Sequence, residues 1–402
     1  MRLHKNLTDA VIEGLGLIFN ENRYADKTVQ KLLKKDKRWG ARDRAFIAET
    51  IYDIVRWKRL YAEIAEVKAP FSVHDLRRMF AVWAVLKGIP LPDWSYFENT
   101  PQRRIKGQFD QLSKMRKFRE SIPDWLDEVG IKQLGEDFWN KEIHALNTLA
   151  PVVIRTNTLK ITPFELKRTL AKEGIDTEIL KNYPLALQLT QRANIFSTNA
   201  FQNGLFEVQD ASSQKVAPFL EVSPGMRVID ACAGAGGKTL HLAALMQNKG
   251  QIIAMDIYEN KLQELKRRAR RNEVFNIETR VIDSKILKRM QNTSDRVLID
   301  APCSGLGVLR RNPDAKWKLQ PDFLKEIRKT QQEILCNYSK LLKSKGKLVY
   351  ATCSILPCEN REQIDTFLQS EYGKDFILEK EEAIFAHTSG YDGFYMALLS
   401  KK

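Results

Sequence analysis

From residue 223 onward, short apolar runs alternate with longer amphipathic stretches. Strand candidates are 226–230, 251–256, 278–282, 296–300, 346–351 and 393–399, and helical patterns fit 237–248, 259–273, 321–343 and 359–370 between them. Such β-α alternation predicts an α/β domain, a mostly parallel, doubly wound sheet with helices on both faces. Upstream the period changes. Val11, Leu15, Ile18 and Phe19 share one helical face, as do Phe46, Ile47, Ile51, Ile54 and Val55, so residues 1–120 read as all-helical. Loops interrupt the pattern around Pro90, Pro92 and Pro101. In 121–222, strand-like runs at 152–157 and 185–189 flank a helix through Lys172. Thr162 is its expected N-cap and Pro163 its first helical position. Three domains are predicted: helical 1–120, linker helices with a small α+β module over 121–222, and the α/β domain over 223–402.

Composition narrows the setting. With 43% hydrophobic and 29% charged residues, the chain has enough apolar surface for real cores. No apolar run approaches the ~18 residues that cross a bilayer, and the N-terminus has a helical rather than a uniformly apolar pattern. Neither a membrane span nor a signal peptide is expected. Five cysteines, scattered and without a CxxC, argue against a disulfide framework or a metal site and for a reducing compartment, the cytoplasm. The net charge of +15 is uneven: residues 1–120 hold 25 Lys/Arg against 15 Asp/Glu. Two-thirds of the excess sits in under a third of the chain, which favours a polyanionic partner such as RNA. A monomer is expected.

The glycine-rich loop Asp230-Ala231-Cys232-Ala233-Gly234-Ala235-Gly236-Gly237-Lys238-Thr239 joins the first strand of the α/β domain to its helix. A phosphate-cradling P-loop would need glycine at Cys232, and a dinucleotide fingerprint would need a third glycine at Thr239. S-Adenosylmethionine, which has no phosphate, remains. The following strands end in Asp256, suited to ribose hydroxyls, and Asp283, placed for the adenine end. Either aspartate alone also fits a helix cap or a turn. Acids at successive strand ends make the joint reading, with residues 232–238, Asp256, Asp283 and Asp300 as the cofactor site.

Two cysteines carry the candidate chemistry. Cys303, in Asp300-Ala301-Pro302-Cys303-Ser304, and Cys353, in Ala351-Thr352-Cys353-Ser354, each follow a strand and precede a serine. Carbon 5 of cytosine is a poor nucleophile until a thiolate adds to carbon 6, so an activated cysteine and an acid at the ring's N3 edge are needed. Asp300 suits the acid, and a second thiol can help the adduct break down. The residues alone do not say which thiol attacks.

These motifs resemble the RsmB/NSUN family of RNA 5-methylcytosine methyltransferases. The resemblance implies a Rossmann-like class I methyltransferase domain preceded by a NusB-like helical domain and an RNA-recognition-like module. It assigns attack to Cys353 and product release to Cys303, with ribosomal RNA as substrate. Val208-Gln209-Asp210-Ala211-Ser212-Ser213-Gln214 is similar to the family's segment ahead of the catalytic domain. Arg310-Arg311-Asn312-Pro313-Asp314-Ala315-Lys316-Trp317 resembles a loop expected near the target nucleotide. Gly234 and Ala235 depart from the family's usual Ala-Pro pair, a change expected to loosen the loop. A transfer-RNA substrate, or a non-catalytic role in ribosome assembly, remains an alternative at this stage.

Overall fold

The computed structural model describes residues 2–402 and divides into two compact units. The first comprises residues 1–148 together with 309–321; the second comprises 149–308 and 322–402. Among the described residues, no helix is long and apolar enough to cross a membrane.

The first unit is helical, beginning with Lys5–Phe19 and including Ala41–Arg56, Val73–Leu86 and Glu136–Leu146. Its core contains the predicted faces: Val11, Leu15, Ile47, Ile51, Ile54 and Val55 are all fully buried. Ser72 caps Val73–Leu86 by accepting from Asp75 N, and the Asp75 carboxylate accepts from Ser72 N in return, so two otherwise unpaired amide donors are satisfied.

The second unit holds two sheets. The smaller contains β1 (Val153–Thr156), β2 (Thr177–Ile179), β3 (Ala186–Leu189) and β4 (Phe206–Val208) in the order β2-β3-β1-β4, all antiparallel. The helix Pro163–Lys172 starts as expected, with Thr162 and Glu165 in a reciprocal capping box.

The larger sheet contains β5 (Arg227–Asp230), β6 (Gln251–Asp256), β7 (Ile277–Val281), β8 (Ser294–Asp300), β9 (Leu342–Thr352), β10 (Phe376–Ile384) and β11 (Phe394–Lys401). Its order is β10-β11-β9-β8-β5-β6-β7. Strands β5 to β9 run parallel; β11 pairs antiparallel with β9, and β10 antiparallel with β11. Alternate residues feed two cores. Val228, Ile252, Leu298 and Val349 pack on one face, while Ile229, Ile253, Val297, Ile299 and Leu348 pack on the other. Burial on both faces explains why these strands read as continuous apolar runs. The chain turns back between β5 and β8, so ligands are expected at the carboxyl ends of these strands.

The small module is fastened to the larger sheet through polar contacts. The buried Glu207 carboxylate on β4 accepts from Arg268 at 2.8 Å and also from Arg271 and Asn272. Burial alone would raise its pKa, but the two guanidiniums hold it below the usual carboxylate value. Arg155 on β1 donates to the Gly237 carbonyl at 2.7 Å, which ties the module to the glycine loop.

Past β8, the Gly307 N–H donates to the Cys353 carbonyl at 2.9 Å, and its own carbonyl accepts from Gly393 N at 2.8 Å. A Cβ on Gly307 would stand 2.2 Å from the Gly393 carbonyl oxygen. Gly307→Ala should therefore destabilise this unit by about 1–3 kcal/mol through overpacking. Chemical denaturation against the unsubstituted chain measures the loss; equal midpoints would show that the crossing relaxes freely.

Candidate active site

The carboxyl ends of β5, β6, β8 and β9 gather the sequence-predicted residues. Asp300 ends β8 opposite Ala351 on β9, and the Ala301 N–H donates to the Ala351 carbonyl at 2.8 Å. Each strand then enters a turn carrying its thiol. The Cys303 and Cys353 sulfurs lie 3.4 Å apart, both half-buried. Lys238, on the first turn of helix Gly237–Leu245, reaches Asp300 with Nζ–Oδ2 2.6 Å, and its ammonium lies over the Phe394 ring.

The electrostatics differ from group to group. Burial pulls the Lys238 pKa down, but attraction to Asp300 outweighs it, with Cys353 and Asp230 adding to the pull, so the lysine stays charged. The Cys303 thiol is pushed well above the usual range by its hydrogen bond to Cys353, by burial and by the nearby Glu359 carboxylate. It holds its proton. Cys232 is raised too, first by burial and then by Asp230, Asp300 and Asp256, which makes it a shape-giving residue rather than a nucleophile. Cys358 is buried, and Cys336 packs against the core.

The glycine loop has the form of a cradle. Gly234 has φ +54° and Gly236 φ +89°. An added Cβ at Gly236 would lie 2.5 Å from Leu265, whereas Gly234 and Gly237 face open space. The residue before a proline is held in the extended region, so Gly234 adopts a state that an Ala-Pro pair disfavours. The departure at Gly234-Ala235 thus gives the loop a conformation of its own, beyond the loosening expected from losing proline. Asp256 is buried; its carboxylate accepts from Gly234 N at 2.8 Å and Tyr258 N at 2.9 Å. Beside it, Ile257 and Tyr258 are exposed large apolar side chains, a surface suited to a purine ring. Asp283 is exposed and caps the following helix by accepting from Ile286 N at 2.6 Å, with one carboxylate oxygen used. Open space over the loop, an acid at the β6 end and adjoining apolar surface fit a nucleoside without phosphates. Among the described residues, no group of three or more His, Cys, Asp or Glu could hold a metal.

The segment 310–317, a loop that family resemblance expects near the target nucleotide, has its side chains built into the helical unit. Arg310 donates to the Ala145 carbonyl at 3.0 Å, Asp314 accepts from Ala25 N at 3.0 Å, and Trp317 donates to the Val55 carbonyl at 2.7 Å. Lys316 is buried, donates to Asn147 Oδ1 at 3.0 Å and to the Glu120 carbonyl, and has its pKa pushed well down by burial. Apolar packing of Trp317 draws the whole segment inward.

Sequence reasoning also missed Glu359 and Asp230. Glu359 lies in a short turn ahead of helix Arg361–Gln369, not within a helix from 359, and faces the cysteine turns. The matched Cys-Ser pairs were the available signal, because two serines in like positions suit one shared acceptor. Asp230 ends β5, is fully buried and accepts from Thr239 Oγ1 at 2.7 Å.

The sequence profile of the 16S rRNA methyltransferase RsmB/F family matches residues 217–400, and the ferredoxin-like domain of RsmF/B-like methyltransferases matches 122–196. The probable ribosomal RNA small subunit methyltransferase B of Bacillus subtilis (strain 168) is 35% identical, aligned over 70% of this chain and 67% of its own length. Its counterpart in Synechocystis sp. (strain ATCC 27184 / PCC 6803 / Kazusa) is 31% identical over 96% and 97% of the two chains. The crystal structure of PH0851 superposes with a TM-score of 0.84 at 26% identity, covering 100% of both chains. A methyltransferase homologue from Pyrococcus horikoshii gives 0.63 at 28% identity, over 73% of this chain and 99% of that one.

Burial pushes the Asp230 carboxyl up from 3.8 to about 7, with Asp300 adding to the rise and the Thr239 hydrogen bond opposing it. Between those values the folded state keeps a proton that the unfolded state has lost. Asp230 therefore contributes its full stability below about pH 4 and loses it as pH rises through about 7. Asp230→Asn, which cannot ionise, should gain stability relative to the parent chain between about pH 5 and 8. Denaturant titrations at both pH values test this; a constant difference would show that Asp230 does not titrate in that window.

Proposed function

Because this chain belongs to the RsmB/F family of 16S rRNA methyltransferases, we propose that it methylates carbon 5 of a cytosine in small-subunit ribosomal RNA through a covalent adduct on Cys353. It is a methyltransferase that uses S-adenosylmethionine. When bound, that cofactor supplies a methyl group on a positively charged sulfur. The residues that would hold it are 232–238, Asp256, Asp283 and Asp300. A ribosomal RNA substrate is met in the cytoplasm.

The observation that carries the covalent reading is the 3.4 Å approach of the two sulfurs beside the Lys238–Asp300 pair. In this scheme the Cys353 thiolate adds to carbon 6 of the ring. Asp300 accepts a hydrogen bond from the exocyclic amine, and the Lys238 ammonium balances the negative charge that develops at the N3 edge. Electron density moves to carbon 5, which takes up the methyl group. Loss of the carbon-5 proton then returns its electron pair to the ring and breaks the bond between carbon 6 and Cys353. Cys303 keeps its proton and touches Cys353, so it can protonate the departing sulfur. The Cys303 thiolate left behind accepts the carbon-5 proton, and the Cys353 thiol then gives one proton to solvent, which restores the attacking thiolate and closes the cycle.

Incubation of the chain with unmethylated small-subunit ribosomal RNA and labelled cofactor, followed by bisulfite mapping, tests the function. A single modified cytosine is expected; 5-methylcytosine only on transfer RNA, or on neither RNA, would overturn the ribosomal assignment. Cys353→Ala should abolish both turnover and the denaturant-resistant protein–RNA adduct. Cys303→Ala should accumulate that adduct, with turnover lowered by about 10²-fold or more as a general acid–base group is lost. Turnover retained by Cys353→Ala, or Cys303→Ala giving only free unmodified RNA, would refute the assigned roles.

A further inference from the structure

The residues on both sides of each reacting thiol are held by one buried polar cluster. Glu359 is fully buried, and its carboxylate accepts from Ser304 N at 2.8 Å, Ser304 Oγ at 2.5 Å, Ser354 Oγ at 2.5 Å and Gln331 Nε2 at 3.2 Å. These four donors are neutral. Gln331 also donates to the Pro302 carbonyl at 3.0 Å, so both neighbours of Cys303 are fixed. On the other side, Asn360 accepts from Thr352 Oγ1 at 2.5 Å and donates to the Ser354 carbonyl at 3.0 Å, so both neighbours of Cys353 are fixed as well. Tyr350 on β9 donates to the Glu359 carbonyl at 2.8 Å and so anchors the acid's own backbone.

A carboxylate taken fully out of water costs several kcal/mol unless its lone pairs are satisfied, and a plain apolar contact would close the same space without that cost. An ionised carboxylate has about four acceptor positions. Here four hydrogen bonds use them, and three of the four come from the two serines that follow the cysteines. The two serine hydroxyls meet on the same oxygen, Oε1, and lie 3.3 Å from one another. One acceptor therefore sets the separation of two turns that are 50 residues apart in sequence.

We propose that Glu359 is a positioning residue for the methylation reaction: by binding Ser304 and Ser354 with one carboxylate, it holds the two thiols at the spacing that attack and release require. It touches neither the ring nor the cofactor in this arrangement and acts through the serines. The inference rests on Cys353 and Cys303 being the reacting thiols. It divides the labour of the tethers: Ser354 carries the attacking thiol, and Ser304 the releasing one.

The test uses the full chain with small-subunit ribosomal RNA transcribed in vitro, and the same transcript containing 5-fluorocytidine, whose fluorine blocks the last proton loss and arrests the adduct. The unsubstituted chain must form 5-methylcytosine and trap the fluorinated transcript; if it does neither, the functional reading itself fails. Given that activity, Glu359→Gln should lower kcat by about 10²-fold, as a misplacement near 1 Å does, with KM for cofactor and RNA within about threefold. Ser354→Ala should slow trapping, whereas Ser304→Ala should trap at the normal rate and accumulate adduct on the ordinary transcript. Glu359→Asp, which keeps the charge, should recover part of the activity lost in Glu359→Gln. The proposal is overturned if Glu359→Gln turns over at the parent rate, if its loss follows only the fraction of folded protein, or if the two serine variants slow the same step. The serine comparison stands even where Glu359→Gln does not fold.

Discussion

Parallel pairing of β8 with β9, with Asp300 opposite Ala351, brings Asp300 and both thiols to one sheet edge. Both strands reach the sheet edge at the same level, and each continues into a turn that presents a cysteine. A slip of one residue would move one turn by about 3.3 Å and send its side chains to the opposite face. A shift of that size would take the sulfurs, 3.4 Å apart here, out of contact. The register is fixed from both sides. Val297, Ile299, Leu348 and Tyr350 pack into one core and Leu298, Val349 and Ala351 into the other, and none of them tolerates solvent.

The same edge concentrates acids. Asp230, Asp256 and Asp300 all act on Cys232, yet Lys238 is bonded to Asp300 alone of the three. Desolvation resolves the excess of negative charge. Asp230, the most deeply buried, holds its proton to about pH 7 and is served by the Thr239 hydroxyl, which leaves the lysine to Asp300. Asp256 is satisfied by two backbone N–H groups, one of them on the glycine loop. Its position at the end of β6 therefore shapes the cradle.

Strand and helix periodicity in the sequence located β5 to β9 and β11 within a few residues, because buried parallel strands carry long apolar runs. The charged run Glu379-Lys380-Glu381-Glu382 disguised β10. It is an edge strand with a register shift between Leu378 and Lys380, and charges on an edge guard it against pairing with another chain. The gathering of the thiols, Asp300 and the glycine loop at one sheet edge was legible because each ends or directly follows an apolar strand run. Glu359 was not, since a glutamate after a proline turn looks like a helix start until the serines are seen around it. The inward packing of Lys316 and Trp317 was not legible either, because their polar atoms meet carbonyls that only tertiary packing brings to them.

The two cysteine motifs are alike in sequence, so the difference between the thiols has to come from what the fold puts around them. Sulfurs 3.4 Å apart in a half-buried site cannot both ionise readily, since the second charge would be forced in beside the first. Glu359 lies on the Cys303 side and repels charge there. Lys238 lies within the field of Cys353 and is itself held charged partly by it. Cys303 is the partner that keeps its proton, which agrees with the release role that family resemblance implies for it.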